Sequence, residues 1–186
     1  MKHARNLGRV LSLLLVLTML AGVVASMAVT GSAAEATQAT APEIVVKGEV
    51  DVWDKTTQTE PTQVADDGAI LITSAAEFAW VLQNSVEGVS KNYRLTTNVD
   101  LQRYHFVYSA TRIFEGELDG AGHAVIGLRF GGASEYANDG VLFKKFTGTL
   151  KDINFSNAYG ISRNGKVSFA ETFSGNVSDV HINYTD

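Results

Sequence analysis

The sequence predicts an all-β protein, a right-handed parallel β-helix closed at its N-terminal end by a short α-helix. Three observations carry the prediction. Phe114-Glu115-Gly116-Glu117-Leu118 recurs as Phe146-Thr147-Gly148-Thr149-Leu150 and again as Phe173-Ser174-Gly175-Asn176-Val177, at spacings of 32 and 27 residues. Downstream, Lys151-Asp152-Ile153-Asn154-Phe155 aligns with Ser178-Asp179-Val180-His181-Ile182 at the same offset of 27. After Asn84 helical periodicity stops, and short apolar stretches alternate with Gly, Asn and Asp. A period near 27 with several short strands per repeat is the signature of a parallel β-helix, in which each coil buries its apolar face against its neighbours.

The elements follow in order. Lys2, His3, Arg5 and Arg9 form a basic leader, Val10 to Thr30 an uncharged apolar run, and Gly31-Ser32-Ala33-Ala34-Glu35-Ala36 a small-residue cleavage region. That order reads as a secretory signal peptide over residues 1–36. The apolar run is also long enough to span a bilayer, so an uncleaved anchor is the competing reading. Residues 37–68, rich in Thr, Gln, Asp and Glu, read as a linker. Within it Ile44, Val46, Val50 and Val52 alternate at period two and predict a short strand at 44–53.

The β-helix domain is expected over 69–186. Ser74-Ala75-Ala76-Glu77 has capping-box spacing, and Phe78, Val81 and Leu82 form an i, i+3, i+4 stripe. A helical cap is therefore expected at 74–84, covering the open end of the first coil. Repeats are expected near 114–130, 141–157 and 168–184. Phe114, Leu118, Phe146, Leu150, Ile153, Phe155, Phe173, Val177, Val180 and Ile182 should form interior ladders, with Gly116, Gly148 and Gly175 stacked at one bend. The difference between 32 and 27 is placed as a five-residue insertion at Gly120-Ala121-Gly122-His123-Ala124, with Ile126 and Leu128 equivalent to the apolar residues around Leu142 and Phe169. On this reading the Asp-Gly-Ala-Gly-His stretch is a corner and His123 a turn residue, since a phosphate loop would open a helix. The chain stops at Asp186 directly after a coil, so an exposed last coil and end-to-end self-association are expected.

Composition narrows the function. Cleavage after Ala34 removes Lys2, Arg5 and Arg9 and no acid, which takes the net charge from −5 to −8. That balance argues against nucleic acid or an anionic membrane as partner. There is no cysteine, so an exported domain must rely on a large regular core instead of disulfides, and lipoprotein anchoring is excluded. No cofactor motif is present. His105, His123 and His181 show no metal-ligand spacing, so neither a metal site nor a metallopeptidase centre is expected.

Three segments taken together resemble a known group: Ile70-Leu71-Ile72-Thr73-Ser74-Ala75-Ala76-Glu77-Phe78, Tyr93-Arg94-Leu95-Thr96-Thr97-Asn98-Val99-Asp100-Leu101 and Phe114-Glu115-Gly116-Glu117-Leu118-Asp119-Gly120. They are similar to the opening of bacterial secreted β-helix proteins with GLUG-type repeats, within the pectate-lyase-like superfamily. Gly140-Val141-Leu142-Phe143 stands for that group's Gly-Leu-Phe segment, and the resemblance covers roughly residues 70–184. Arg103-Tyr104-His105-Phe106-Val107-Tyr108 replaces its usual Trp-x-Pro-Ile segment, and Lys144 replaces a glycine. The resemblance implies a secreted or cell-surface bacterial protein. Such domains occur in adhesin-like proteins, as accessory modules of exported peptidases and in polysaccharide-degrading enzymes.

Two functional classes follow. The first is an exported, non-catalytic β-helix for surface display, adhesion or glycan binding. The alternative is part of a polysaccharide lyase or glycoside hydrolase, or an accessory domain of a larger exported enzyme. Asp152 and Asp179, at offset 27, form the best carboxylate pair for chemistry, but Asx residues commonly end strands and hold turns. No catalytic set is recognised. For ligand binding the aromatic run stands out. Tyr104, Phe106 and Tyr108 alternate, so in a strand they share a face on which sugar rings could stack beside Arg103. The competing reading turns Phe106 inward and leaves the tyrosines at the rim. Arg103, Tyr104 and Tyr108 are the candidate ligand-binding residues, with glycans or other host or cell-surface ligands as partners.

Overall fold

The computed structural model describes residues 46–132, 140–162 and 166–184. The expected signal peptide and the start of the strand expected at 44–53 lie outside the described residues. In chain order the elements are β1 (Val50–Val52), β2 (Ile70–Ile72), α1 (Ala75–Asn84), β3 (Tyr93–Leu95), β4 (Asn98–Asp100), β5 (His105–Val107), β6 (Ser109–Phe114), β7 (Glu117–Asp119), β8 (Ala124–Ile126), β9 (Arg129–Gly131), β10 (Gly140–Phe146), β11 (Thr149–Ile161), β12 (Val167–Phe173) and β13 (Asn176–Tyr184). The strands pair in parallel, each with the equivalent strand one coil away, and wind a β-solenoid of about four turns.

Four walls enclose the core. The first stacks β2, β3, β7, β11 and β13, so that Ile70, Tyr93, Leu118, Leu150 and Val177 fall in one column. The second stacks β1, β4, β8, β11 and β13 through Asp51, Val99, Val125, Phe155 and Ile182. The third stacks β5, β9 and β11, and the fourth β6, β10 and β12.

On the fourth wall Phe114, Phe146 and Phe173 stack with centroids 5.0 and 5.1 Å apart and planes 10° and 3° from parallel. That spacing is close to the separation of paired strands, so identical side chains in register necessarily stack. Phe146, Leu150, Ile153 and Phe155 are buried as expected, whereas Phe173, Val177 and Ile182 keep their register but are exposed. They belong to the last coil, over which no described residue packs. At the bend between the fourth and first walls, Gly116, Gly148 and Gly175 also stack as expected. A Cβ on any of them would fall on the carbonyl oxygen of Lys91, Gly116 or Gly148 respectively, so close approach of successive coils demands glycine there.

The five-residue insertion is placed differently from the expectation. The register offset between the second and third repeats is 27 from Gly140–Val167 to Phe155–Ile182, as in Phe146–Phe173 and Leu150–Val177, and shifts to 26 at Ala158–Tyr184. Between the first and second it is 32 at Leu118–Leu150 but 30 at Val125–Phe155 and Arg129–Tyr159. Two of the five residues therefore sit in the Gly120–Gly122 corner and three in the connection from β9 to β10. Ile126 consequently pairs with Ser156 on the second wall and is not equivalent to the residues around Leu142. Corners absorb length changes because their backbone is outside the ladders, whereas an insertion within a strand would turn its side chains over.

The N-terminal end departs most from expectation. Ser74 caps α1 by accepting from the Glu77 amide at 3.2 Å, as its spacing predicts, but the Glu77 carboxylate reaches one residue further back, to the Thr73 amide and hydroxyl. Phe78, Val81 and Leu82 are buried in the core and cover the first coil. Part of the segment read as a linker packs with them. Residues 50–52 form β1, paired with β4, and Val50 and Val52 point outward. Asp51 accepts the α1 amide of Ala75 at 2.7 Å, and Trp53 is 2% exposed, stacked on Phe106. Asn98 joins this segment to the coils: its carboxamide donates to the Lys47 and Glu49 carbonyls and accepts from the Ala124 amide. A buried amide so satisfied costs little and fixes the register. The described packing thus begins near residue 47, upstream of the expected boundary at 69.

Candidate functional site

The corner between the second and third walls carries the most distinctive chemistry. Here the backbone takes the left-handed conformation in successive coils, at Gln102 (φ 49°) and Arg103 (φ 56°), at Gly127 (φ 65°) and at Asn157 (φ 54°). Glycine and asparagine adopt it readily, but two consecutive residues with longer side chains do so at a cost, and strain of that kind tends to accompany ligand sites. Asp100 offsets part of it, accepting the Gln102 amide at 2.7 Å, and the Leu101 carbonyl accepts from the Tyr104 amide. Glycine is favoured at 127 as well, because at φ 65° a Cβ there would sit tightly, 3.0 Å from the Arg103 backbone nitrogen.

The result is an open cleft of about 470 Å³ lined by Asp100, Gln102, Arg103, Ile126, Gly127 and Asn157. Beside it, His105, Arg129 and Tyr159 form an outward column on the third wall, in register on three coils. The guanidinium carbons of Arg103 and Arg129 lie 5.5 and 5.8 Å from the centroid of the Tyr159 ring, within cation–π range. Neither arginine forms an ion pair among the described residues. The Arg129 Nε and His105 Nε2 atoms are buried without a hydrogen-bond partner there. Burial, then the Arg129 charge, hold the His105 imidazole below its ordinary pKa, against a hydrogen bond with the Gly131 backbone.

The three candidates from sequence separate. Arg103 lines the cleft. Tyr104 is half-buried, edge-on to Trp53 at 4.8 Å and to Phe106 at 5.1 Å. Tyr108 donates its hydroxyl to Glu171 at 2.9 Å, and Glu171 is also ion-paired with Lys144 at 2.7 Å. Burial, then Glu171, push the Tyr108 phenol above its ordinary pKa. The single aromatic platform is therefore not formed. The strand spans only residues 105–107, and Phe106, 1% exposed, turns inward under Trp53. This is the competing arrangement, and it follows from the core's need for a large apolar group at that position.

The remaining polar candidates are corner residues. Asp152 and Asp179 are exposed and left-handed (φ 48° and 50°), at the bend between the first and second walls. His123 donates its amide to Gly120 and accepts from the Asn154 amide through its carbonyl, as a turn residue does. Asp119 beside it accepts from the Ala121 amide at 2.8 Å and lies between Arg94 at 3.2 Å and Lys151 at 3.5 Å. Burial opposes its ionisation, but the amide and the two cations hold its carboxyl below the usual range.

Arg129, Tyr159, Gln102 and Asn157 escaped the sequence reading. The signal that finds Arg129 and Tyr159 is the offset of 30, visible only once the insertion is divided between two corners. No family model, curated protein or solved structure matches the chain.

Proposed function

We propose that the protein is an exported, non-catalytic β-solenoid that displays a glycan-binding surface at the bacterial cell surface. The observation that carries this reading is the cleft at the second corner. With the column beside it, the cleft combines one guanidinium, two carboxamides and a carboxylate in its lining with the partly buried Tyr159 ring and a second guanidinium, that of Arg129, next to it. Sugars are recognised by this mixture, an aromatic ring for the C–H face and planar polar groups for hydroxyls. An open cleft buries little of a ligand, so single-site dissociation constants on the order of millimolar are expected, with useful strength arising from many copies at a surface.

The test is a glycan array probed with the protein displayed multivalently. Binding should be lost in Arg103→Ala and kept in Tyr104→Ala/Tyr108→Ala. Binding that survives Arg103→Ala removes the cleft from consideration. Release of reducing or unsaturated sugar from any polysaccharide places the protein among enzymes instead.

A further inference from the structure

We infer that the cleft selects sugars bearing an oxyanion, a carboxylate or a sulfate ester, and that Arg129 reads this group together with Arg103. The inference rests on the glycan reading above and adds the ligand's charge and a residue that lies outside the cleft lining. Elsewhere on the surface Lys91, Arg94, Lys144 and Lys151 are each matched to a carboxylate, through Glu60, Asp67 and Asp119, Glu171 and Glu117, while Lys47, Lys55 and Lys145 stand singly, without an ion pair or an aromatic ring beneath them among the described residues. Arg103 and Arg129 are not so matched among the described residues. They approach the same Tyr159 ring, so two positive charges are held near one another with no ion-paired acid among the described residues, in a chain whose net charge is −5, and Asp100 is the one carboxylate in the adjoining cleft lining. Like charges gathered in this way repel, and an anion between them relieves the repulsion.

The geometry favours guanidinium chemistry. Arginine presents a planar fork that matches the oxygens of a carboxylate or sulfate. The Arg129 Nε is buried without an acceptor among the described residues, so contact with an anion falls to the terminal nitrogens of its guanidinium, which form no ion pair there. Arg103 is held by the left-handed Gln102–Arg103 pair and by Gly127 against its backbone nitrogen. Asp100 engages the Gln102 amide and is ion-paired to neither arginine. It can accept sugar hydroxyls while the arginines take the anionic substituent, so the site has polarity and a sugar has one preferred direction.

The experiment is solution NMR of the full chain, following the Nε–H signals of Arg103 and Arg129. The probes are glucose, glucuronate, glucose 6-sulfate and sodium sulfate at constant ionic strength. Glucuronate and glucose 6-sulfate should bind about fivefold or more tightly than glucose, as charge-assisted hydrogen bonds require. Arg129→Gln should bring that preference close to unity, while Arg129→Lys, which keeps the charge and loses the fork, should keep part of it. Arg103→Gln serves as a second variant should Arg129→Gln disturb the third wall. Glucose binding as tightly as the two charged sugars, or a preference unchanged in both Gln variants, overturns the inference and leaves glycan binding standing. Sodium sulfate binding as tightly as glucose 6-sulfate, or no binding by any sugar, rejects the glycan reading and the inference with it.

Discussion

Truncating the first-wall column at successive coils should cost progressively less toward the last described coil. Leu118 is 1% exposed, between Tyr93 and Leu150. Leu118→Ala removes three carbons, about 2.4 kcal/mol of transfer free energy. Neighbours fixed on both sides cannot close the gap, and a residual cavity of about 60 Å³ adds about 1.5 kcal/mol, for a total near 4. Leu150 is 3% exposed, but its lower neighbour Val177 is 55% exposed and free to move inward, so Leu150→Ala should cost about 2.5–3 kcal/mol. Val177→Ala removes two carbons already half in water, about 0.7 kcal/mol. Urea unfolding measures the three differences, provided the slopes are equal so that midpoints report stability. Equal losses at the three positions, or a larger loss at Val177 than at Leu118, would show that the coils do not stack in the register described.

Trp53→Ala should cost about 3–5 kcal/mol; a change within about 0.5 kcal/mol, the range for surface positions, would mean that the segment before residue 69 is a tether after all. Arg112 is buried, with its Nε unpartnered and one hydrogen bond to the Leu142 carbonyl, so Arg112→Met should leave stability unchanged or raise it by about 1 kcal/mol. A loss above about 2 kcal/mol would point to a counter-charge for this arginine. His105 has a folded pKa below its unfolded value near 6.5, so the unfolded chain binds its proton first and stability falls as pH drops below about 6.5. His105→Gln should flatten the loss between about pH 6.5 and 5; an unchanged acid limb there argues that the imidazole is not desolvated. Val167, Phe173, Val177 and Ile182 are exposed on the last coil, so sedimentation should show concentration-dependent association that Val177→Lys abolishes. A clean monomer at high concentration counts against this.

Much of the solenoid was legible because its strongest constraints are local and repeated. The Phe-x-Gly-x-Leu unit places an aromatic on the fourth wall, a glycine at the bend and an aliphatic on the first wall. Three copies suffice to show the stacking. What escaped lay where order in the chain and order in space part company. β1 precedes β2 in sequence yet fills the second-wall position beneath β4. Asp51 and Trp53 lie in the stretch read as a linker, although one caps the helix and the other fills the core. The corner cleft was half legible. Arg103 stood beside a conspicuous aromatic run, but alternation assumes a continuous strand, and the left-handed pair at Gln102–Arg103 breaks it. Arg129 and Tyr159 are 30 residues apart and meet only through coil pairing.

The constancy of the 27-residue register has a consequence for how such a molecule can lengthen. From Gly140–Val167 to Phe155–Ile182 the ladder partners keep that separation, while the preceding coil carries length differences at its corners and a two-residue register shift between β6 and β10. A coil is thus an interchangeable unit whose two faces present the same register. Copying residues 147–173 after Phe173 would set a new aromatic on Phe173 and, at the following bend, return Gly175 to the top of the glycine column. The rod would grow by one strand spacing, about 4.8 Å, with the corner cleft and the helical cap left in place. Tandem duplication of a stretch of gene this short, in frame, lengthens the solenoid without redesigning a core.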